Sequence, residues 1–251
     1  MNSFISWIGG KKALRNKILE QFPEVSEYDR YVEVFGGAGW VLFAKESHAP
    51  LEVFNDINGK LINLYRCVKY HDEALLKELD WTLVSKEQFL DSREQIEVRG
   101  LTDIQRAARY FLLIKGSFGS NLSSFSNKNW NVDSSIEYLR RVKERLKSTV
   151  IENKDFENII KTYDRDKTLF YLDPPYYLTE DYYDEEFTQR DHERVKACLD
   201  NIKGKFILSY NDCEFIRQLY SGYCITEVER QNNLVSKSGG GRYKELIIKN
   251  F

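Results

Sequence analysis

An α/β fold is expected for this chain: a Rossmann-like, mostly parallel seven-stranded sheet with an antiparallel hairpin at one edge, and an all-helical insert. Seven short runs rich in β-branched and aromatic residues alternate with helical patterns over much of the sequence. Residues 59–148 break this alternation, because they contain helical patterns alone. Only a Gly/Ser-rich loop (236–241) separates the last two strand candidates, which favours a hairpin.

The alternating region predicts buried strands joined by helices. Strands that are separated by helices indicate right-handed crossovers and a mostly parallel sheet. The strand candidates are YVEVF (31–35), LEVF (51–54), TVIE (149–152), TLFYL (168–172), KFILSY (205–210), YCITEV (223–228) and YKELIIKN (243–250). The helix candidates in the same region are residues 11–22, 39–46, 58–69, 156–162 and 190–201.

The helical insert is expected between the second and third strands. A polar stretch (116–131) separates its last two helical patterns. We expect residues 1–58 and 149–251 to form one domain, which residues 59–148 interrupt. The helical patterns of the insert cover residues 73–79, 86–98, 103–115 and 133–147.

The composition indicates a globular cytoplasmic protein without a metal site. With 251 residues, 42% of them hydrophobic, the chain can bury a substantial core. No apolar run is long enough to cross a membrane, and the N-terminus lacks the pattern of a secretion signal. The four cysteines have no Cys-x-x-Cys spacing, which predicts reduced thiols. The three histidines are widely spaced, which argues against a bound metal.

The net charge of -2 does not by itself indicate a nucleic-acid partner. The distribution of charge is more informative, because residues 105–150 contain nine basic and three acidic residues. This basic segment lies within the predicted insert. It is either a surface that contacts phosphates or a solvated helix face, and the charge count leaves both interpretations open.

The first motif with chemical meaning is VEVFGGAGW (32–40), where a strand ends in a glycine-rich turn before a predicted helix. Glycines let the backbone approach a ligand closely, and a helix N-terminus offers free amides. The bulky Trp40 and the absence of Gly-x-Gly-x-x-Gly make a pyrophosphate site a poor fit, whereas a nucleoside with a short tail suits the turn. A plain tight turn is the alternative.

Asp56 follows the second strand, roughly twenty residues past the glycines. In nucleotide-binding α/β folds, an acidic residue at this position accepts hydrogen bonds from ribose hydroxyls. The alternative is an N-cap of the helix that starts near Asn58, a role that Asn55 could also take.

The most specific motif is LDPPYY (172–177), which follows the strongest strand candidate. Its aspartate is expected at the ligand-binding edge of the parallel sheet, and the two prolines stiffen the turn. The Asp173 carboxylate and the Pro174 carbonyl then form a pair of acceptors that can hold an aromatic amine. Tyr176 offers a face for stacking a planar base. An ordinary turn is the alternative.

An Asp-Pro-Pro-Tyr turn preceded by Phe-x-Gly-x-Gly resembles the Dam-like group of DNA adenine-N6 methyltransferases. The resemblance covers nearly the whole chain, with six motifs in the family's order. It implies a site-specific, adenine-specific enzyme that uses S-adenosyl-L-methionine and acts on duplex DNA. The residues that match the catalytic tetrad are Asp173, Pro174, Pro175 and Tyr176.

The other motifs imply the cofactor site. SWIGGKKAL (6–14) resembles the family's Trp-x-Gly-Gly-Lys motif, and the ending YKELIIKN resembles its closing Glu-Leu-x-x-x-Asn strand. Asp155 and Phe156 look like the pair that flanks the cofactor's adenine. The implied cofactor-binding residues are Trp7, Lys11, Phe35, Gly37, Gly39, Asp56, Asp155, Phe156 and Asp173.

The chain departs from the family pattern in three places, which leave the cofactor and catalytic assignments unchanged but the DNA target sequence undetermined. Trp40 is larger than the small residue expected after the glycines, and Ser6 stands where some members place a lysine. The segment 117–126 lacks the motif of members that recognise GATC. The insert is nevertheless expected to be the target-recognition domain. Its candidate DNA contacts are Arg106, Arg109, Asn121, Lys128, Arg140 and Arg141.

The expected mechanism is direct methyl transfer to an adenine that has left the duplex. Tyr176 stacks on the base, while Asp173 and the Pro174 carbonyl accept from its amine. No metal and no membrane are expected as partners. The resemblance implies a monomer, and it leaves a cognate restriction endonuclease open as a partner.

Other functions remain open alternatives. The tetrad also suits an adenine in RNA. Protein-glutamine methyltransferases have a similar fold but carry Asn-Pro-Pro-Tyr, so Asp173 argues against them. A DNA-binding module with a dead catalytic site is disfavoured by the intact Asp173, Lys11 and Asp56. An NAD-dependent oxidoreductase is disfavoured by the missing Gly-x-Gly-x-x-Gly.

Overall fold

A computed structural model of the chain describes residues 1–126, 130–178, 187–231 and 242–251. The strands join into one seven-stranded sheet. They are β1 (Arg30–Glu33), β2 (Leu51–Asn55), β3 (Thr149–Glu152), β4 (Thr168–Leu172), β5 (Lys205–Asn211), β6 (Cys224–Gln231) and β7 (Arg242–Lys249). Their order is β3-β2-β1-β4-β5-β7-β6, so the predicted sheet is confirmed.

Strands β1 to β5 run parallel, and β7 runs antiparallel to both β5 and β6. The predicted antiparallel hairpin at one edge is therefore confirmed, while its Gly/Ser-rich loop lies outside the described residues. Every residue of β4 is buried, as expected for a strand with helices on both faces of the sheet. The chain leaves β1 towards β2 on one side and enters β4 on the other, which makes the β1–β4 junction the switch point of the sheet.

Nine α-helices lie within the described residues. They are α1 (Arg15–Leu19), α2 (Gly59–Tyr70), α3 (Asp72–Asp80), α4 (Lys86–Gln95), α5 (Asp103–Gly116), α6 (Val132–Leu146), α7 (Phe156–Tyr163), α8 (Gln189–Leu199) and α9 (Glu214–Leu219). Helix α9 was not expected from the sequence, because six residues carry too little periodicity. None of these helices combines the length and apolar character needed to cross a lipid bilayer.

Helices α2 to α6 all lie between β2 and β3, where the all-helical stretch was predicted. Side chains cap the N-termini of several of these helices. Asn58 accepts a hydrogen bond from the Leu61 amide, and Thr102 and Gln105 each accept one from the other's backbone amide. These helices share one hydrophobic core with the N-terminal segment and the β1–β2 connection. The division into two domains stays a prediction.

The predicted helix at 39–46 is wrong, because only a 3-10 turn (Leu42–Ala44) forms there. Backbone carbonyls that a helix would need for its own amides are taken by groups from elsewhere. The Phe43 carbonyl accepts from the N-terminal ammonium at 2.8 Å, and the Val41 carbonyl bonds the His48 ring at 2.9 Å. The glycine turn is therefore followed by an irregular segment, without the free amides of a helix N-terminus.

Arg145 of α6 anchors this irregular segment to the sheet. Its guanidinium is buried, and Nη1 and Nη2 lie 2.7 and 2.8 Å from the two carboxylate oxygens of Glu52 on β2. The same guanidinium donates to the carbonyls of Leu42 and Lys45. A bidentate pair with its remaining donors satisfied is the form in which a buried ion pair is tolerated.

Glu33 is the last residue of β1 and is 1% exposed. Its carboxyl accepts from the Tyr31 hydroxyl at 2.7 Å and from the Leu42 amide. Burial nevertheless raises the pKa of Glu33 to about 8, since these two hydrogen bonds offset only part of the desolvation. The folded protein therefore holds a proton on this carboxyl near neutral pH.

Replacing Arg145 with Met should lower the free energy of unfolding by about 3 kcal/mol or more, because Glu52 would remain buried without its cation. Denaturant unfolding followed by circular dichroism measures this. Arg140→Met is the matched control, since Arg140 lies on the same helix with its side chain 62% exposed. We expect the control to change the free energy by less than about 0.5 kcal/mol. Equal effects of both substitutions would contradict the role of Arg145.

The Glu33 proton should make stability depend on pH. Unfolded Glu33 releases its proton near 4.5 and folded Glu33 near 8, so wild-type stability falls as the pH rises between these values. Glu33→Gln removes this contribution. Across this window, the free energy of unfolding of the variant should rise relative to that of the wild type by up to about 1.4 kcal/mol per pH unit. Denaturant unfolding at several pH values measures this difference. A constant difference from pH 4.5 to 8 would rule out the raised pKa.

Candidate active site

A cavity of about 220 Å³ opens at the carboxyl ends of the parallel strands. Segments that follow β1, β2, β3 and β4 all contribute to its wall, which places it at the switch point of the sheet. The residues inferred for cofactor binding come from five separate parts of the chain, and the fold brings all of them to this wall: Trp7, Lys11, Phe35, Gly37, Gly39, Asp56, Asp155, Phe156 and Asp173.

The glycine turn after β1 lies against the N-terminal segment. Gly37 and Gly39 have φ values of +50° and +65°, in the region where side chains are disfavoured. A Cβ on Gly37 would lie 3.0 Å from the Trp7 indole. Trp40 lines the cavity without closing it, and its indole packs beside Gly10. The large residue after the glycines therefore leaves room for a ligand.

The carboxylate of Asp56 holds the glycine turn in place. Its Oδ2 accepts from the Gly37 amide at 2.8 Å, and its Oδ1 accepts from the Asn58 amide at 2.9 Å. Burial raises the pKa of Asp56, although these amides oppose the shift. Asn58, not Asp56, caps α2. The amides of Gly36 and Ile57 also bond this carboxylate. Asp56 is only partly buried and lines the cavity, so a ligand there can still reach its carboxylate.

Asp155 and Phe156 form the opposite wall together with Arg194 of α8. The Phe156 ring lies 5.6 Å from the Phe35 ring, and the Arg194 guanidinium lies 4.6 Å over the Phe156 ring. Arg194 Nη2 is 3.2 Å from Asp155 Oδ1, and its other nitrogens bond Glu157 and Asp191. This cluster fixes an aromatic face and a carboxylate side by side.

Asp173 begins the turn after β4, and an ion pair holds its carboxylate. Lys11 Nζ lies 2.7 Å from Asp173 Oδ1 and also donates to the Gly9 carbonyl at 2.9 Å. Lys11 is 5% exposed, and its ammonium lies 4.6 Å over the Tyr176 ring. Pro174 is buried, and Pro175 lines the cavity. The fold thus brings the predicted catalytic residues together with the predicted Lys11.

Glu245 of β7 is a buried member of this group that the sequence analysis did not select. The Tyr176 hydroxyl donates to Glu245 Oε2, and Lys11 Nζ lies 4.0 Å from the same oxygen. Burial, and then the charges of Asp173 and Glu245, raise the pKa of Tyr176 well above its usual value. The phenol therefore keeps its proton and acts as a donor.

Further residues of the cavity wall were also missed. Glu33 and Tyr171 belong to strands that looked purely structural, and Arg194 lies on a helix without a recognised motif. Ser120 and Leu122 come from the polar stretch of the insert. No cluster of three or more His, Cys, Asp or Glu side chains that could hold a metal ion occurs among the described residues.

The candidate DNA contacts are dispersed. Arg106 donates to the Ile96 carbonyl, and Arg109 donates to Gln95 at 2.6 Å, so both tie α5 to α4. Asn121 lines the cavity, but its side chain bonds Ser123 and Ser124 within its own loop. Arg140 and Arg141 are exposed on α6, and Lys128 lies outside the described residues. Their role in DNA binding stays a prediction.

The basic segment at 105–150 does not form one free cationic face among its described residues. Arg145 is buried against Glu52, and Lys143 pairs with Asp72 at 2.8 Å. Lys115 packs over the Phe111 ring, and burial lowers its pKa. Much of the local excess of positive charge is therefore used in intramolecular contacts.

Comparison with known proteins identifies the family of this chain. The model of the D12 class N6 adenine-specific DNA methyltransferase family matches residues 7–234. The type II methyltransferase M1.LlaDCHI of Lactococcus lactis subsp. cremoris is 29% identical over all of this chain and 96% of that protein. The type II methyltransferase M.CviBI of Paramecium bursaria Chlorella virus NC1A is 27% identical, with both chains covered completely.

A third relative is the DNA adenine methylase of Haemophilus influenzae, which is 25% identical over 92% of this chain and 87% of that protein. The family match includes the glycine turn, Asp56 and the Asp-Pro-Pro-Tyr turn, so the resemblance stated from the motifs is confirmed. The chain belongs to the D12 class of N6 adenine-specific DNA methyltransferases.

Proposed function

We propose that this protein transfers the methyl group of S-adenosyl-L-methionine to the exocyclic amine of an adenine flipped out of duplex DNA. One observation carries the proposal: the nine residues inferred for cofactor binding, Asp173 among them, line a single cavity. A ligand in this cavity would therefore contact the carboxylate that begins the Asp-Pro-Pro-Tyr turn.

The donor set of the cavity fits this cofactor. Asp56 can accept from ribose hydroxyls, and Asp155 can accept from the amine of the cofactor's adenine. Phe35 and Phe156 offer aromatic faces to that ring. The glycine turn lies beside Trp7, and its lack of side chains leaves room for the tail of the ligand. When bound, S-adenosyl-L-methionine supplies an electrophilic methyl group.

Asp173 and the Pro174 carbonyl would accept the two N–H bonds of the target amine. Two acceptors orient the amine nitrogen and increase its electron density, which favours its attack on the methyl group. Lys11 fixes one carboxylate oxygen of Asp173, because its ammonium lies 2.7 Å away. The carboxylate retains lone pairs to accept from the base.

Tyr176 would stack on the flipped adenine. Flipping costs a few kcal/mol, which stacking and hydrogen bonding in the pocket offset. Residues 59–148 would recognise the target sequence, with Asn121 near base edges and exposed Arg140 and Arg141 near phosphates. We further propose that the enzyme is a cytoplasmic monomer. A cognate restriction endonuclease is the proposed partner, since two relatives are named type II methyltransferases.

The activity is tested by sequencing modified bases in DNA from cells that express the protein. N6-methyladenine at one recurring sequence is expected, and that sequence is the target site. Gel shifts with duplex DNA and with structured RNA separate the two possible substrates. Modified RNA together with unmodified DNA would refute the proposal.

Asp173→Ala should reduce methyl transfer below detection while leaving cofactor binding measurable by calorimetry, because the substitution removes an acceptor of the amine but only one of the nine residues inferred for cofactor binding. Asp200→Ala is the control, since Asp200 pairs with Lys196 at the surface of α8. The control should keep full activity. Near-full activity of Asp173→Ala would show that the catalytic assignment is wrong.

Arg194→Met should weaken binding of S-adenosyl-L-methionine about tenfold, because it removes the cation that holds Asp155 and lies over Phe156. Isothermal titration calorimetry measures the dissociation constant directly. Lys196→Met removes another cation of the same helix and should leave the constant unchanged. If both variants bind like the wild type, the cluster does not shape the cofactor site.

A further inference from the structure

Strand β7 carries one carboxylate among apolar side chains. Glu245 is 2% exposed, and Leu246, Ile247 and Ile248 beside it are equally buried. The neighbouring Lys244 is exposed, so the strand could place a charge in water without burying one. A buried carboxylate is unfavourable unless it is hydrogen-bonded or paired. Its position therefore requires an explanation.

Near Asp173, Glu245 makes two of its contacts. Its Oε2 accepts from the Tyr176 hydroxyl and lies 4.0 Å from Lys11 Nζ. The same ammonium pairs with Asp173 at 2.7 Å, which makes Asp173 its closer partner. The hydrogen bond with Tyr176 is therefore the closer of the two contacts that Glu245 makes here.

A purely structural role explains this arrangement poorly. Buried polar pairs of this kind add little stability over well-packed apolar residues of similar volume. The contact also joins the last strand to a turn residue that follows Asp173 by three positions. A hydrogen bond at the hydroxyl end of a tyrosine fixes the position of its oxygen, and it favours one ring plane because the phenol O–H prefers to lie in the plane of the ring.

We propose that Glu245 is a positioning residue that sets the plane of the Tyr176 ring for stacking on the flipped adenine. It touches neither the base nor the cofactor, and it acts through the tyrosine hydroxyl. This inference rests on the proposed function. It predicts that losing the hydrogen bond impairs capture of the base and leaves cofactor binding intact.

Three variants and one double variant test the proposal. Tyr176→Phe keeps the ring and removes the donor, and Glu245→Leu removes the acceptor. Each should lower kcat/KM for DNA by about tenfold to a hundredfold, the range for a hydrogen bond to a charged group. The double variant should be no slower than either single variant, because both remove the same bond. Glu245→Gln retains an acceptor oxygen and should lose less than about threefold.

The base-capture step is measured with 2-aminopurine in place of the target adenine, in the sequence identified by modified-base sequencing. The wild type should raise its fluorescence on binding, and Tyr176→Phe and Glu245→Leu should raise it less. The dissociation constant of S-adenosyl-L-methionine should stay the same. Tyr163→Phe is the matched control, since Tyr163 donates to Glu152 at 2.9 Å and neither residue lines the cavity.

The outcomes separate this inference from the proposed function. A wild type that does not methylate adenine refutes the proposed function. An active wild type with an unimpaired Tyr176→Phe variant refutes the role of Glu245. Additive losses in the double variant also refute it, because the two residues would then act separately. If thermal unfolding shows that Glu245→Leu does not fold, the comparison of Tyr176→Phe with Tyr163→Phe decides.

Discussion

The ion pair between Lys11 and Asp173 is the contact on which the site depends. It joins the N-terminal segment to the turn after β4, and the glycine turn after β1 lies between them. Lys11 also faces Glu245, so one buried ammonium lies near two carboxylates. A third carboxyl nearby, Glu33, has a pKa raised to about 8 and holds its proton. The buried negative charge of the site is therefore reduced in two ways: Lys11 pairs with Asp173, and Glu33 holds a proton.

The strands and their mostly parallel sheet could be predicted from the sequence, because the parallel strands are buried on both faces and appear as continuous apolar runs. The irregular structure of the segment 39–46 could not be predicted in this way. Its spacing of apolar residues suits a helix, but the carbonyls of Val41, Leu42 and Phe43 bond to distant side chains and to the N-terminus. Local periodicity contains no information about such partners, because they are separated by up to about a hundred residues in sequence.

The same limit applies to the site. Motifs located Asp56, Asp155 and Asp173, because each follows the end of a strand in a parallel sheet. Glu245 and Arg194 follow no strand end, and their partners lie in other elements. Two signals were present for Glu245: it begins the closing Glu-Leu-x-x-x-Asn motif, and it is the one acidic residue in a strand that is otherwise apolar on its buried positions. A charge at a buried position is a stronger indication of function than a charge on a surface.

Charge counted along a sequence does not reveal which charges are free. The charge of the basic segment at 105–150 suits a phosphate-contacting surface or a solvated helix face, yet Arg145 bonds Glu52 of the sheet and Arg109 bonds Gln95 of α4. The loop at its centre instead reaches the cavity, where Ser120 and Leu122 line the wall. Ser120 also bonds Ser6, next to Trp7 of the cavity wall. The helical segment and the loops at the edge of the sheet therefore line the same cavity.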